Sequence, residues 1–187
     1  MRLILASGSP RRLSLLQELG FDPTVWPTDI DETPRPGETP EDYVERLALE
    51  KGGALGGAIE PADVVVSADT IVALDGSLLG KPKNDADATA MLRRLSGRRH
   101  HVLTGVAVRR HDTVHSFVET TTVRFGELSD ADIAWYVATG EPSDKAGAYG
   151  IQGRGGAFVI SIEGSYDNVI GLPRHRLRPL ITDAHST

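Results

Sequence analysis

Asp69 is a carboxylate inside an apolar run rich in β-branched residues, from Val64 to Leu74. Such a run predicts a central strand that is buried on both faces. A charge in that setting is costly unless it is paired or bound to a metal. Asp69 is therefore a candidate for metal binding or for accepting a proton from water. A buried salt bridge, or a turn capped at the end of the strand, is the alternative interpretation.

A second candidate is the segment Ser7-Gly8-Ser9-Pro10, which lies where a short predicted strand passes into a helix. Backbone N–H groups and two hydroxyls would meet there at the positive end of the helix dipole, where phosphate binds readily. Arg11 and Arg12 follow in the first turn, where positive charge is unfavourable unless an anion is near. An ordinary capped helix with solvated arginines is the alternative. The segment is not a P-loop, because the sequence has no Gly-x-x-x-x-Gly-Lys-Ser/Thr pattern.

Lys51 falls within the apolar stripe of a predicted helix. A lysine in that position either extends its ammonium to solvent along the stripe or serves a site.

Three acidic residues, Asp29, Asp31 and Glu32, lie on an early loop. Carboxylate oxygens of this kind suit magnesium or manganese. The run from Asp29 to Thr33 also imitates the Asp-x-Asp-x-Thr opening of aspartyl-phosphate phosphatases. In those enzymes the first aspartate follows a long buried strand, whereas Pro27 interrupts a short strand here.

Two loops later in the chain carry further polar groups. Lys81 lies on the turn Gly80-Lys81-Pro82, and a Gly-rich loop spans residues 143–153. Within that loop Asp144, Lys145 and Gln152 could bind a substrate by hydrogen bonds. Gly-rich loops often have no such role.

The surrounding pattern predicts the elements that would position these residues. Strands are expected at 3–6, 24–26, 63–74, 101–108, 114–125 and 158–162. Helices are expected at 10–20, 40–56, 85–96, 129–140 and 173–182. Strands outnumber the helices that could serve as crossovers, so the sheet should be mixed. The prediction is an α/β fold with a twisted mixed sheet and flanking helices, in one domain over residues 1–187.

Composition limits the possible functions. The 187 residues carry a formal net charge of -6 and no cysteine. The charge disfavours a surface built for nucleic acid, and the lack of cysteine excludes thiolate zinc sites and cysteine nucleophiles. No apolar run is long enough for a membrane span or a signal peptide. We therefore expect a cytoplasmic protein that binds neither nucleic acid nor membrane.

Several of these segments, taken in order, resemble the Maf family of nucleotide pyrophosphatases over nearly the whole chain. The matching segments are Leu-Ala-Ser-Gly-Ser-Pro-Arg-Arg at 5–12, Asp-Glu-Thr-Pro at 31–34, Leu47-Ala48 to Lys51, Ser-Ala-Asp-Thr at 67–70, Gly80-Lys81-Pro82, Thr-Gly-Val at 104–106, the loop 143–153, and Ser165-Tyr166 with Asn168-Val169 and Gly171-Leu172-Pro173. One departure is Gly52-Gly53 after Lys51, where alanines are more usual and a helix would be firmer.

The resemblance implies hydrolysis of a nucleoside triphosphate to monophosphate and pyrophosphate, in a cleft between two lobes of a Maf/ITPase-like fold. It implies a divalent cation, Mg or Mn, and a possible homodimer. The implied roles are phosphate binding by Ser7, Ser9 and Arg12, metal and water binding by Glu32 and Asp69, and charge neutralisation by Lys51 and Lys81.

Within the family, Arg12, Thr70 and Gln152 resemble the set found in members that prefer dTTP and UTP. A different class of function stays open: a nucleotide-binding regulator of cell division and septum formation with little turnover. An aspartyl-phosphate phosphatase built on Asp29 and Asp31 is the third hypothesis.

Overall fold

The computed structural model describes residues 2–183. Its strands are β1 (Leu3–Leu5), β2 (Thr24–Val25), β3 (Val64–Leu74), β4 (Ser77–Leu79), β5 (Arg99–Arg110), β6 (Thr113–Phe125) and β7 (Val159–Glu163). Its helices are α1 (Pro10–Glu18), α2 (Pro40–Gly53), α3 (Asp85–Leu95), α4 (Asp130–Val137), α5 (Tyr166–Ile170) and α6 (Arg174–Asp183). No helix within residues 2–183 has the length and apolar character needed to cross a membrane.

The strands form one mixed sheet of seven, in the order β2-β1-β3-β5-β6-β7, with β4 paired to β3. β1 is parallel to both β2 and β3. β4 is antiparallel to β3, and β7 is antiparallel to β6. The predicted α/β fold with a mixed sheet and flanking helices is confirmed.

Two compact units divide the chain. The first comprises residues 1–69, 104–119 and 171–187, and the second comprises residues 70–103 and 120–170. β3, β5 and β6 each contribute residues to both units.

In the first unit, helix α2 packs very closely on strand β5. A Cβ placed on Gly105 would lie 2.2 Å from the carbonyl oxygen of Val44. Only glycine allows this backbone-to-backbone approach. The same unit contains a buried cluster around Ile4 and Val65, against which Trp26 packs. This packing fixes the helix that carries Lys51.

In the second unit, the core contains a group of aromatic rings among aliphatic side chains. Phe125 makes edge-to-face contacts with His100, Tyr149 and Phe158. Tyr136 makes such a contact with Phe158. Such contacts stabilise a core beyond the area that they bury. The core lies against the segment that begins at residue 141 and carries the Gly-rich loop.

Most predicted elements match the observed ones to within a few residues, and the differences have local causes. α2 ends at Gly53 rather than near residue 56, because Gly52-Gly53 is a poor helix-forming pair. The five-residue helix α5 and the three-residue strand β4 are too short to show a periodic pattern. The predicted loop at 141–156 contains short 3-10 turns. Residues 1 and 184–187 of the predicted domain lie outside the described residues.

Candidate active site

The turn from β1 into α1 brings hydroxyls and backbone amides together at the start of the helix. Ser9 caps the helix, since its hydroxyl accepts a hydrogen bond from the backbone N–H of Arg12, and Pro10 occupies the first turn. The hydroxyl of Ser7 accepts one from the N–H of Ser9, at 3.2 Å. The first turn of α1 contains no acidic residue. The predicted placement of Ser7 and Ser9 at a helix N-terminus is therefore what the structure shows.

Arg12 folds back over that turn. Its Nη1 donates to the hydroxyl of Ser7 at 3.0 Å, and its Nε donates to the carbonyl oxygen of Gly171 at 3.0 Å. Burial lowers the pKa of the Arg12 guanidinium; the negative charges of Asp69 and Glu32 oppose that shift, and the positive charge of Arg11 adds to it. The guanidinium is thus held in place and within electrostatic range of both carboxylates.

Lys51 connects the two predicted metal ligands. Its Nζ lies 2.6 Å from Oδ1 of Asp69 and 2.7 Å from Oε1 of Glu32. The side chains of Lys51 and Asp69 are only 11% and 12% exposed, whereas that of Glu32 is 52% exposed. The lysine therefore does not extend to solvent, and the aspartate in the apolar strand is paired. One ammonium and two carboxylates leave this cluster with a net charge of about -1.

The loop that carries Glu32 is anchored to helix α2. The hydroxyl of Tyr43 donates to the carbonyl oxygen of Glu32 at 2.9 Å, and Arg46 donates to that of Thr33 at 3.2 Å. Burial raises the pKa of Tyr43 to about 12, and the charges of Asp69 and Glu32 add to this. Tyr43 therefore stays protonated and keeps donating its hydrogen bond.

The Arg46 guanidinium is itself held by Glu38, through two hydrogen bonds of 2.6 and 2.9 Å. This pairing lowers the pKa of Glu38 to about 2. Asp31, by contrast, caps a local turn, since its Oδ1 accepts from the N–H of Thr33 at 2.9 Å. Hydrogen bonding from Thr33 holds the pKa of Asp31 below its ordinary value.

The remaining predicted residues belong to the second unit. Thr70 follows Asp69 in β3 and is partly exposed, and Lys81 lies on an exposed turn after β4. The carbonyl oxygen of Gly80 accepts a hydrogen bond from the N–H of Gly147 at 3.1 Å. This bond joins the turn of Lys81 to the Gly-rich loop.

Within the Gly-rich loop, Lys145 is fixed while Gln152 is exposed. The ammonium of Lys145 donates to the carbonyl oxygen of Glu141 at 2.7 Å and to Oδ1 of Asp144 at 2.6 Å. The exposed Gln152 lies between Gly150 and the 3-10 turn Arg154–Phe158. Three of the predicted substrate-binding residues thus share one loop.

Sequence analysis did not identify Tyr43, Arg46 or Glu141 as contributors. Tyr43 and Arg46 lie in a helix whose apolar stripe drew attention only to Lys51, and the groups that they bind in the loop of Glu32 are backbone carbonyl oxygens 11 and 13 residues away. Every residue has a backbone carbonyl oxygen, so residue types do not reveal which of these oxygens accepts a side-chain hydrogen bond. In residues 2–183 no group of three or more His, Cys, Asp or Glu side chains is arranged to hold a metal ion.

Comparison with known proteins shows the family to which this chain is similar. The model of a family described as Maf-like protein matches residues 2–184. A protein of Anaeromyxobacter dehalogenans strain 2CP-C, named dTTP/UTP pyrophosphatase, is 55% identical over 176 residues, which cover 92% of this chain and 88% of that protein.

Two further relatives carry the same name. That of Symbiobacterium thermophilum is 52% identical, with 97% of this chain and 93% of that protein covered. That of Shewanella sp. strain MR-7 is also 52% identical, with 98% of each covered. The solved structure of the Staphylococcus aureus Ham1 protein matches with a TM-score of 0.57 at 16% identity, over 98% of this chain and 99% of that one. At that identity the match shows a shared fold, in agreement with the mixed α/β prediction.

Proposed function

Since this chain belongs to the Maf family, we propose that it hydrolyses nucleoside triphosphates, dTTP and UTP in particular, to the monophosphate and pyrophosphate. Its relatives at 52–55% identity are named for this activity. The observation that carries the proposal is the convergence of Glu32, Lys51 and Asp69, with contacts of 2.6 and 2.7 Å.

The donor set of this cluster fits a hard divalent cation. Glu32 and Asp69 direct one carboxylate oxygen each at a single positive group, the ammonium of Lys51. Mg²⁺ is commonly bound by one or two carboxylates together with substrate phosphates. We assign Glu32 and Asp69 as the residues that would hold Mg or Mn. When bound, such an ion supplies neutralisation of phosphate charge and acidification of a water ligand.

The turn from β1 into α1 is assigned to the phosphates. The amides and hydroxyls of Ser7 and Ser9 lie at the positive end of a helix that has no acidic residue in its first turn. Arg12 adds a guanidinium held by Ser7 and Gly171, and Arg11 adds positive charge beside it. Fixed donors of this kind stabilise the charge that develops on phosphoryl oxygens.

The chemical step we propose is in-line attack by water on the α-phosphorus. A bond forms between the water oxygen and that phosphorus, and the bond to the oxygen bridging the α- and β-phosphorus breaks. Pyrophosphate leaves with the bond's electron pair, and Asp69 accepts the proton that the water loses. The ammonium of Lys51 contacts Asp69 and offsets negative charge. Such a reaction needs positioning and charge neutralisation more than covalent help.

Further residues are assigned to the substrate by their chemistry and by the family resemblance. Lys81 and Lys145 carry positive charge suited to the triphosphate, and Asp144 is hydrogen-bonded to Lys145. With Arg12, the residues Thr70 and Gln152 make the set that resembles members preferring dTTP and UTP. These roles are inferred from the family resemblance and from residue chemistry.

The names of the relatives favour the enzyme over a regulator of septum formation without turnover. The phosphatase hypothesis loses support, because the carboxylate of Asp31 is engaged in a local turn with Thr33. A single functional domain, a homodimer and a cytoplasmic location remain predictions. The match of the family model to residues 2–184 supports the single domain.

A product assay over a nucleotide panel with Mg or Mn tests the proposal. We expect pyrophosphate and monophosphate in equal amounts from dTTP and UTP. Orthophosphate as the sole product would exclude the proposed function. Binding of nucleotide without release of any product would instead favour the regulator.

A further inference from the structure

Glu141 lies two residues before the Gly-rich loop and three residues beyond the C-cap of helix α4. Its carboxylate accepts three hydrogen bonds. Oε1 accepts from the hydroxyl of Tyr136 at 2.9 Å and from the N–H of Gly155 at 3.2 Å, and Oε2 accepts from the N–H of Arg154 at 2.9 Å. Two of the three donors are thus backbone groups on the far side of Gln152.

The backbone that precedes Gln152 is held by Tyr136, which is itself hydrogen-bonded to Glu141. The hydroxyl of Tyr136 accepts a hydrogen bond from the N–H of Gly150 at 3.0 Å while donating to Glu141. Tyr136 is fully buried in the aromatic core, so this anchor is rigid. Segment 150–155 is therefore tied down at both ends, and Gln152 is exposed between the two ties.

Close steric contacts also show that segment 150–155 packs against Glu141 and Tyr136. A Cβ on Gly153 would lie 2.3 Å from Oε1 of Glu141, and one on Gly155 would lie 2.6 Å from the hydroxyl of Tyr136. The backbone on either side of Arg154 therefore packs directly against the carboxylate and the phenol. Glycine at these positions is what allows Glu141 to reach the amides.

Glu141 also fixes Lys145, through its own carbonyl oxygen at 2.7 Å. Burial raises the pKa of the Glu141 carboxyl, but hydrogen bonds from Arg154, Gly155 and Tyr136 outweigh it and leave the pKa below its ordinary value. An ionised carboxylate with three donors is a strong anchor.

We propose that Glu141 is a positioning residue for nucleotide selection, which holds Gln152 and Lys145 in the geometry that the substrate requires. The inference rests on the proposed function, because selection among nucleotides has meaning only for a nucleotide-hydrolysing enzyme. Glu141 itself does not contact the reacting atoms; it acts through the loop.

The test compares Glu141→Gln with Tyr136→Phe and Gln152→Ala. In Glu141→Gln one acceptor oxygen remains, but the other is replaced by an amide NH₂, which cannot accept the hydrogen bond of the backbone N–H that it faces. Tyr136→Phe removes only the hydroxyl. Glu163→Gln, an exposed glutamate of the same unit paired with Arg99, is the matched control. The measured quantity is the ratio of kcat/KM for dTTP to that for CTP, together with KM and kcat separately.

We expect Glu141→Gln and Tyr136→Phe to lower this selectivity ratio by roughly tenfold, mainly through KM for dTTP, and the control to leave it unchanged. The double variant Glu141→Gln/Gln152→Ala should be no less selective than Gln152→Ala alone, because both changes remove the same function, the contribution of Gln152 to selection. Amide hydrogen exchange of residues 150–155 should accelerate in Glu141→Gln and Tyr136→Phe.

Unchanged selectivity in both Glu141→Gln and Tyr136→Phe would overturn the inference, as would unchanged selectivity in Gln152→Ala. Loss of selectivity without faster exchange of residues 150–155 would also overturn it. If the unmodified protein releases no pyrophosphate from dTTP or UTP, the proposed function fails instead. The exchange measurement then still decides whether Glu141 holds the segment.

Discussion

Lys51 and Asp69 form a contact of 2.6 Å between ammonium and carboxylate, with both side chains almost completely shielded from solvent. Each group offsets part of the cost of burying the other. Glu32 joins the pair from a more exposed loop, which leaves one side of the cluster open to water. The cluster therefore contains a proton acceptor in a fixed position, Asp69, and an excess of negative charge that suits a cation.

Replacing Asp69 by asparagine should remove proton acceptance while keeping the shape of the side chain. We expect turnover of dTTP to fall by at least about a hundredfold, with nucleotide still bound. Pyrophosphate release and calorimetric titration measure the two effects. Asp29→Ala should be mild and serves as the control, and near-normal turnover in Asp69→Asn would reject the role given to this residue.

Replacing Lys51 by methionine should leave Asp69 buried without its cation. We expect a loss of roughly 2 kcal/mol in the free energy of unfolding, measured by urea denaturation. The double variant Lys51→Met/Asp69→Asn should lose less than the two single variants together, because it leaves no buried charge uncompensated; Glu32, the other partner of Lys51, is about half exposed. Additive losses would mean that the two groups do not depend on each other.

Removal of divalent cations should abolish turnover. After treatment with EDTA, we expect activity to return on addition of Mg or Mn. Glu32→Gln should raise the metal concentration needed for half-maximal activity, because it removes one charged ligand. Full activity in the presence of EDTA would contradict the assignment of Glu32 and Asp69 as metal ligands.

Sequence alone was most informative where a residue contradicted its surroundings. Asp69 in an apolar strand needed a partner, whereas Lys51 in an apolar helical stripe could either extend to solvent or serve a site. The two residues pair with each other. The contribution of Tyr43 could not be foreseen, because its hydroxyl contacts the backbone of Glu32. The order of strands in the sheet depends on long-range pairing, which local periodicity does not encode.

Gly105 should tolerate no side chain. Its Cβ would overlap the carbonyl oxygen of Val44 at 2.2 Å, so Gly105→Ala must displace helix α2 from β5. We expect a loss of roughly 3 kcal/mol in the free energy of unfolding, together with reduced turnover because α2 carries Lys51. Gly57→Ala is the matched control, since nothing lies within 4 Å of the Cβ there. Equal stability of the two variants would show that the packing of α2 on β5 does not require glycine at position 105.

His100 should make the stability of the protein depend on pH. Its ring is buried, with Nε2 2.8 Å from the hydroxyl of Tyr149. Burial, with a smaller effect from His101, lowers the pKa of His100 from 6.5 to about 4. Between these values the unfolded chain binds more protons than the folded one, so the free energy of unfolding should fall as the pH falls from about 6.5 to about 4.

The contribution of His100 to this fall should be on the order of 3 kcal/mol, fully present above pH 6.5 and lost by about pH 4. Urea denaturation across this range measures it. His100→Gln, which cannot take up a proton, should flatten the dependence even if it is less stable at pH 7. His115→Gln, at an exposed position, should keep the dependence of the unmodified protein. An equal slope in His100→Gln and the unmodified protein would mean that His100 does not titrate differently on unfolding.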